Sequence, residues 1–284
     1  MPGVIGRGDR PVASSPVAPT TLADNLEGTL MSEELSVRVD GHVGVLEIHR
    51  PPNNHFDLDV LTELADTAEE LAAGGTRVLV LCSEGKNFCA GVDFASGGVG
   101  DTPVHTLSAI YGQGLRLFSL PVPVIAAVQG AAVGGGLGLA CAADFRVAAP
   151  SSRFHANFGL LGLHQGFGLS ASLPRIVGQQ KAADMFYTAR RVTGTEAHAI
   201  GLADLLVDEP NLREEAVRQA HRIALSAPLA VRSMKATMRA DLLAELPAAL
   251  DREIIEQTKL LGTKDNEAGV TASLNRTRPT FTGE

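Results

Sequence analysis

Between residues 77 and 141 the chain runs twice through one order: an apolar run of strand length, a glycine-bearing turn, then a helical stripe. Residues 77–82 lead into Asn87-Phe88-Cys89-Ala90-Gly91-Val92-Asp93, and residues 106–120 read as a helix stopped by Pro121. Residues 123–128 then lead into Gln129-Gly130-Ala131-Ala132-Val133-Gly134-Gly135-Gly136-Leu137-Gly138-Leu139, with a second helix opening near Gly135. A helix between successive strands returns the chain to the same sheet edge, so this alternation demands an α/β fold with a mostly parallel sheet. Each turn also sets glycine beside a backbone N–H that can approach a ligand oxygen closely. The second turn adds the positive end of a helix dipole.

The flanking segments agree. Two short β-type runs, 35–39 and 43–48, are separated by Asp40-Gly41, a hairpin signal. Val60, Leu61, Leu64, Ala68 and Leu71 form a helical stripe with Asp57 as its predicted N-cap and Gly74-Gly75 at its end. Beyond about Pro210 the pattern is helical, with expected helices over 212–226, 228–246 and 247–260. The expected organisation is an extension over 1–32, an α/β core over 33–209 and a helical C-terminal region over 210–284.

Composition narrows the function classes. The 284 residues are 45% hydrophobic, enough for a substantial core, and carry a formal charge of −8 with only short basic runs. That argues against a nucleic-acid surface. No stretch approaches the 18 or so apolar residues of a membrane span, because 122–133 is interrupted by Pro123, Gln129 and Gly130. Cys82, Cys89 and Cys141 lack metal-ligand spacing and read as small core residues in a reducing cytoplasm; no metal or prosthetic group is implied. The first 30 residues, rich in Pro, Ala, Ser, Thr and Gly, lack the apolar core of a secretory signal and read as a disordered extension, with Met31 an alternative start.

Several motifs in one order make the chain resemble the crotonase, or enoyl-CoA hydratase/isomerase, superfamily from about Leu35 to the C-terminus. They are the two glycine motifs, Arg50-Pro51-Pro52-Asn53-Asn54, Gly194-Thr195-Glu196-Ala197-His198-Ala199-Ile200-Gly201-Leu202, and Arg278-Pro279-Thr280-Phe281. The resemblance implies a spiral of ββα turns building two nearly perpendicular sheets. It also implies a helical C-terminal region that packs on neighbouring subunits in trimers or pairs of trimers, and a coenzyme A thioester as substrate. Two backbone amides, those of Val92 and Gly135 by motif match, would hold the thioester oxygen and stabilise its enolate. Arg50, Ala90, Gly91 and Asp93 match positions along the coenzyme, and Arg278 and Phe281 match positions reaching the adenine of an adjacent subunit. Asp93 also reads as a cap for the chain that follows it.

The departure lies in proton transfer. Hydratases of the superfamily carry two glutamates; Gly138 stands at the first position and Phe158 at the second. The aspartate of some isomerases is replaced by Gly166. Neither glycine nor phenylalanine can move a proton. His164, in a glycine-rich loop, is the remaining candidate base, with Gln165 beside it; a capping or backbone-bonded histidine is the competing reading. His155, His105 and Tyr111 are weaker candidates, and His55 reads as a local turn contact. Asp57, Asp59 and Glu196 read as helix-start residues. Ser83, Ser96 and Ser119 lack a nucleophile's glycine setting, which leaves a serine peptidase without support. Two readings therefore stand: an acyl-CoA enzyme with an altered proton apparatus, and a non-catalytic acyl-CoA-binding scaffold.

Overall fold

The computed structural model describes residues 32–93 and 102–284. The expected extension up to Met31, the start at Met31 and the glycine-rich loop over 97–101 lie outside the described residues. Strands in chain order are β1 (Leu35–Asp40), β2 (Val43–Ile48), β3 (Val78–Ser83), β4 (Val124–Val128), β5 (Ala131–Val133), β6 (Phe145–Ala148), β7 (Arg153–His155), β8 (Arg191–Thr193) and β9 (Leu205–Leu206). Helices are α1 (Leu58–Ala73), α2 (Pro103–Phe118), α3 (Gly135–Ala142), α4 (Leu169–Val177), α5 (Gln179–Thr188), α6 (Gly194–Ala199), α7 (Leu212–Ala224), α8 (Pro228–Leu260) and α9 (Lys264–Leu274).

One sheet has the order β1-β2-β3-β4-β6-β9, and a smaller one the order β5-β7-β8. The β1–β2 hairpin turns at Asp40-Gly41 with Gly41 at φ 60°, and it is antiparallel, as is β7–β8. All other pairings are parallel. Parallel strands are covered on both faces, which explains their nearly unbroken apolar sequences. One face of the large sheet sends Val43, Val45, Val78, Val80, Ile125 and Val147 against α7, whose Ala216, Ala220 and Ala224 recur at i, i+4 and i+8. The opposite face sends Leu46, Leu79, Leu81 and Ala126 into a larger core with Leu61, Leu64 and Leu71 of α1.

Asp57 caps α1 as expected: its carboxylate accepts from the Val60 N–H at 3.0 Å. The expected break before Pro247 does not occur. Residues 228–260 form one 33-residue helix, α8, with Pro247 inside it. A proline there removes one backbone hydrogen bond, but Leu242, Leu246 and Leu250 on its inner face are buried in the core and hold both halves in line. After α8 the chain adds α9, which the sequence reading did not separate. Thus α7 covers this chain's own sheet, whereas α8 leaves Leu229, Met234 and Met238 exposed. Among the described residues no helix is long and apolar enough to cross a membrane.

Candidate active site

The site begins with Asn54, fully buried and in the left-handed region at φ 50°. Its amide nitrogen donates to the carbonyls of Glu84 and Asn87 at 2.8 and 2.6 Å, and its oxygen accepts from the Arg50 N–H at 2.9 Å. One side chain therefore ties the Arg-Pro-Pro-Asn-Asn turn to the loop before the first glycine motif. The Ala90 N–H then donates to the Asn53 carbonyl at 2.9 Å, carrying the join into the motif itself.

The two glycine motifs are stitched together by backbone. Cys89 N–H donates to Ala131 O at 3.0 Å, and Val133 N–H donates to Cys89 O at 2.9 Å, a parallel bridge between Cys89 and Ala132. The glycines permit this approach. A Cβ on Gly136 would stand 2.1 Å from the Cys89 carbonyl oxygen, and one on Gly91, at φ 78°, would stand 3.1 Å from the Gly135 nitrogen. Such distances exclude any side chain at 136 without separating the motifs.

Val92 and Gly135 therefore line one cavity of about 410 Å³, a size within the roughly 300–1,000 Å³ of small-molecule sites. Gly135 is the first residue of α3, whose N-cap Gly134 supplies no side-chain cap. Among the described residues, neither the Val92 nor the Gly135 N–H donates to the protein. Two unspent donors at the mouth of a helix dipole suit an anionic oxygen. The Gly91 carbonyl, in the same peptide as the Val92 N–H, accepts from the Phe56 N–H at 3.0 Å and faces His55 Nδ1 at 3.2 Å, which fixes that peptide.

Aromatic residues surround the places where the resemblance puts acids. A Cβ on Gly138 would lie 2.7 Å from the Cβ of Phe167, a residue held at φ 59°. Phe158 itself lines the cavity. A Cβ on Gly166 would lie 1.9 Å from the Tyr111 hydroxyl. Among the described residues, no glutamate lines the cavity.

The remaining candidates distribute unevenly. Ala90, Gly91 and Asp93 line the cavity, and Asp93 also borders an adjoining surface hollow that contains Arg50. Arg50 is paired with Glu34 at 3.1 Å and Asp57 at 2.8 Å. Arg278 and Phe281 lie exposed in the C-terminal segment and do not line the cavity of their own chain; Arg276 does. The structure does not bring the His164 imidazole to the cavity. Its Nδ1 faces the Gln165 carbonyl at 2.7 Å, while its own carbonyl accepts from Gln257 Nε2 at 2.8 Å. His155 is spent on the Ala189 carbonyl at 2.8 Å, and burial lowers its pKa below the usual histidine value. His105 is exposed on α2 and lies outside the cavity lining, whereas Tyr111 and His55 belong to it. Glu196 sits in the first turn of α6, paired with Arg190 at 2.8 Å.

Three residues escaped the sequence reading. Gln257 of α8 lines the cavity and accepts from the Tyr111 hydroxyl at 2.7 Å. Glu253, one turn earlier, is fully buried and accepts from the Gly168 and Ser170 N–H groups, each at 2.8 Å, so it fixes the loop that carries Phe167. Burial pushes its carboxyl up to about 7 despite those hydrogen bonds. Asn157 lines the cavity with a buried Oδ1 that has no partner among the described residues. Gln257 and Glu253 lie nearly 90 residues downstream of the loops they hold, and no local pattern marks them.

Comparison with known proteins agrees with this geometry. The enoyl-CoA hydratase/isomerase family pattern matches residues 38–284. A probable enoyl-CoA hydratase of Bacillus subtilis is 32% identical over 257 residues, covering 88% of this chain and 99% of its own. The probable enoyl-CoA hydratase EchA14 of Mycobacterium tuberculosis is 37% identical over 231 residues, covering 78% of this chain and 87% of its own. The solved enoyl-CoA hydratase of Mycobacterium avium subsp. paratuberculosis superposes with a TM-score of 0.77 at 29% identity, covering 88% of this chain and 98% of that one. A solved enoyl-CoA hydratase/isomerase from Pseudoalteromonas atlantica gives 0.79 at 27%, covering 88% and 100%. The α/β architecture is thus the crotonase fold, and the chain belongs to the enoyl-CoA hydratase/isomerase family.

Proposed function

We propose that this protein is an enzyme that binds an acyl-coenzyme A and stabilises its thioester enolate between the Val92 and Gly135 amides. The observation that carries this reading is the pair of N–H groups on one cavity that find no acceptor among the described residues, brought side by side by the Cys89–Ala132 bridge. An enolate concentrates negative charge on the thioester oxygen, so two fixed donors lower its energy more than that of the neutral substrate. Removing one such donor typically costs roughly 10²–10³ in rate.

The acid pair of a hydratase is absent from this reading. Phe158 and Phe167 make apolar the region where a water would be held, so addition of water is disfavoured. Decarboxylation or carbon–carbon cleavage, in which a breaking bond of the substrate supplies the enolate's electron pair, suits such a cavity better; isomerisation requires a base from a loop or from the substrate itself to take the proton. His164 supports the site through its carbonyl, which holds Gln257, rather than through its ring. Arg50, Ala90, Gly91 and Asp93 are the proposed coenzyme contacts, joined by Arg278 and Phe281 from an adjacent subunit of a trimer or pair of trimers. The exposed apolar residues of α8 fit that assembly, and the proposed location is the cytoplasm.

The test is mass spectrometry of a panel of enoyl- and acyl-coenzyme A substrates incubated with the protein in deuterated buffer. Deuterium entering the α-carbon without addition of water is the expected result. Thioesters that bind yet never exchange or react would favour the non-catalytic scaffold.

A further inference from the structure

The strongest polar feature of the cavity stands away from the paired amides. The Tyr111 hydroxyl occupies the space a residue-166 side chain would fill, 1.9 Å from a Cβ built on Gly166, and Gln257 Nε2 stands 2.6 Å from the same point. Tyr111 donates to Gln257 Oε1, and Gln257 is anchored in turn on the His164 carbonyl. Phe167 braces the phenol edge-on, with ring centroids 6.1 Å apart at 79°. Burial pushes the Tyr111 phenol above its ordinary pKa, and the neighbouring Glu253 pushes it the same way, so it remains a neutral hydroxyl.

Hydrogen-bonding capacity is left over at this pair. Gln257 spends one of its two amide hydrogens on His164, and its oxygen has a second lone pair. Elsewhere on the same cavity, 3.0 Å from a Cβ built on Gly134, the buried Asn157 Oδ1 has no partner among the described residues. A plain hydrocarbon chain would leave the spare Gln257 amide hydrogen unpaired beside it, which is costly in a dry pocket. An oxygen on the chain would accept that hydrogen.

A run of ring contacts links the pair to the paired amides: the Phe56 ring abuts Gly135, with Cζ 2.6 Å from a Cβ built there, the Phe167 centroid is 5.3 Å from that of Phe56, and Tyr111 meets Phe167. Resting on the acyl-coenzyme A reading above, we infer that Tyr111 and Gln257 form a recognition subsite for acyl groups carrying a hydroxyl or carbonyl oxygen along the chain. The site would prefer them to hydrocarbon chains of equal length.

The test is calorimetric titration of the intact protein with matched coenzyme A thioesters: a saturated chain, and chains of the same length with a hydroxyl or a ketone at successive carbons from C3 onward. Wild type is expected to bind the best oxygenated thioester about tenfold more tightly than the hydrocarbon, the worth of one or two neutral hydrogen bonds. Tyr111→Phe should erase that preference while hydrocarbon affinity stays within about twofold; Gln257→Leu should do the same and serves if Tyr111→Phe fails to fold. Equal or tighter binding of the hydrocarbon by wild type, or a preference that survives both substitutions, would overturn the inference while leaving the acyl-coenzyme A reading intact. Failure of every thioester to bind wild type would instead refute that reading, and this inference with it. The hydroxyl and ketone arms separate the two oxygen types.

Discussion

Gly136→Ala is the sharpest perturbation of the paired-amide arrangement, because its obstacle is backbone. The new Cβ would sit 2.1 Å from the Cys89 carbonyl oxygen and 2.6 Å from its carbon, where no rotamer change can relieve it. Contact at about 3.2 Å requires the two motifs to separate by about 1 Å, stretching the Cys89–Ala131 and Val133–Cys89 hydrogen bonds. Overpacking of this kind costs about 1–3 kcal/mol, or roughly 3–10 °C in melting temperature for a domain this large. The functional cost is larger, because misplacing one amide by about 1 Å lowers the rate on the order of 10²-fold. Calorimetric melting and α-proton exchange of a bound thioester in deuterated buffer read the two effects separately. Exchange within threefold of wild type would refute the claim that the contact between the motifs sets the donor geometry. An unchanged melting temperature would refute the steric argument beneath it.

Other outcomes follow from the same structure. Glu253 carries a carboxyl raised to about 7 in the folded state against about 4.3 in the unfolded chain, so its contribution to stability is fully present below about pH 4 and is lost as pH rises through 7. The loss amounts to about 4 kcal/mol at most, and Glu253→Gln should flatten the melting-temperature profile between about pH 4 and 7; an unchanged slope would assign the titration elsewhere. Asn54→Gly keeps the left-handed backbone but abandons three hydrogen bonds, and should cost about 2–4 kcal/mol in urea unfolding; a loss below 1 kcal/mol would mean that the turn holds without the amide. Pro247→Ala should raise stability by about 1–3 kcal/mol by restoring a helix hydrogen bond in α8, and a lower melting temperature would show that the proline is accommodated by a bend the core requires.

Much of the fold was legible because its signals are local. The hairpin at Asp40-Gly41 and the Asp57 cap each reside in a few consecutive residues, each strand–glycine–helix unit lies in one continuous stretch, and the structure realises all three. Pro247 misled for the opposite reason: a local breaker was overruled by the burial of Leu242, Leu246 and Leu250, which only distant partners provide. The candidate amides at Val92 and Gly135 were readable because glycine spacing records a backbone conformation directly. The polar groups of the cavity were not, since Gln257 and Glu253 belong to a helix whose sequence is otherwise unremarkable.

By itself the sequence determined the alternation of elements and the two glycine turns, because each is a property of residue type and spacing, and it set Gly138, Phe158 and Gly166 where the resemblance puts acids. Only the tertiary structure decided what surrounds those positions. Phe167 closes on Gly138, the Tyr111 hydroxyl fills the space beside Gly166, and the His164 ring faces the backbone instead of the cavity. Those outcomes depend on which side chains arrive from α2 and α8 to meet the loop over 164–168, and contacts between segments so far apart are fixed by packing of the whole core.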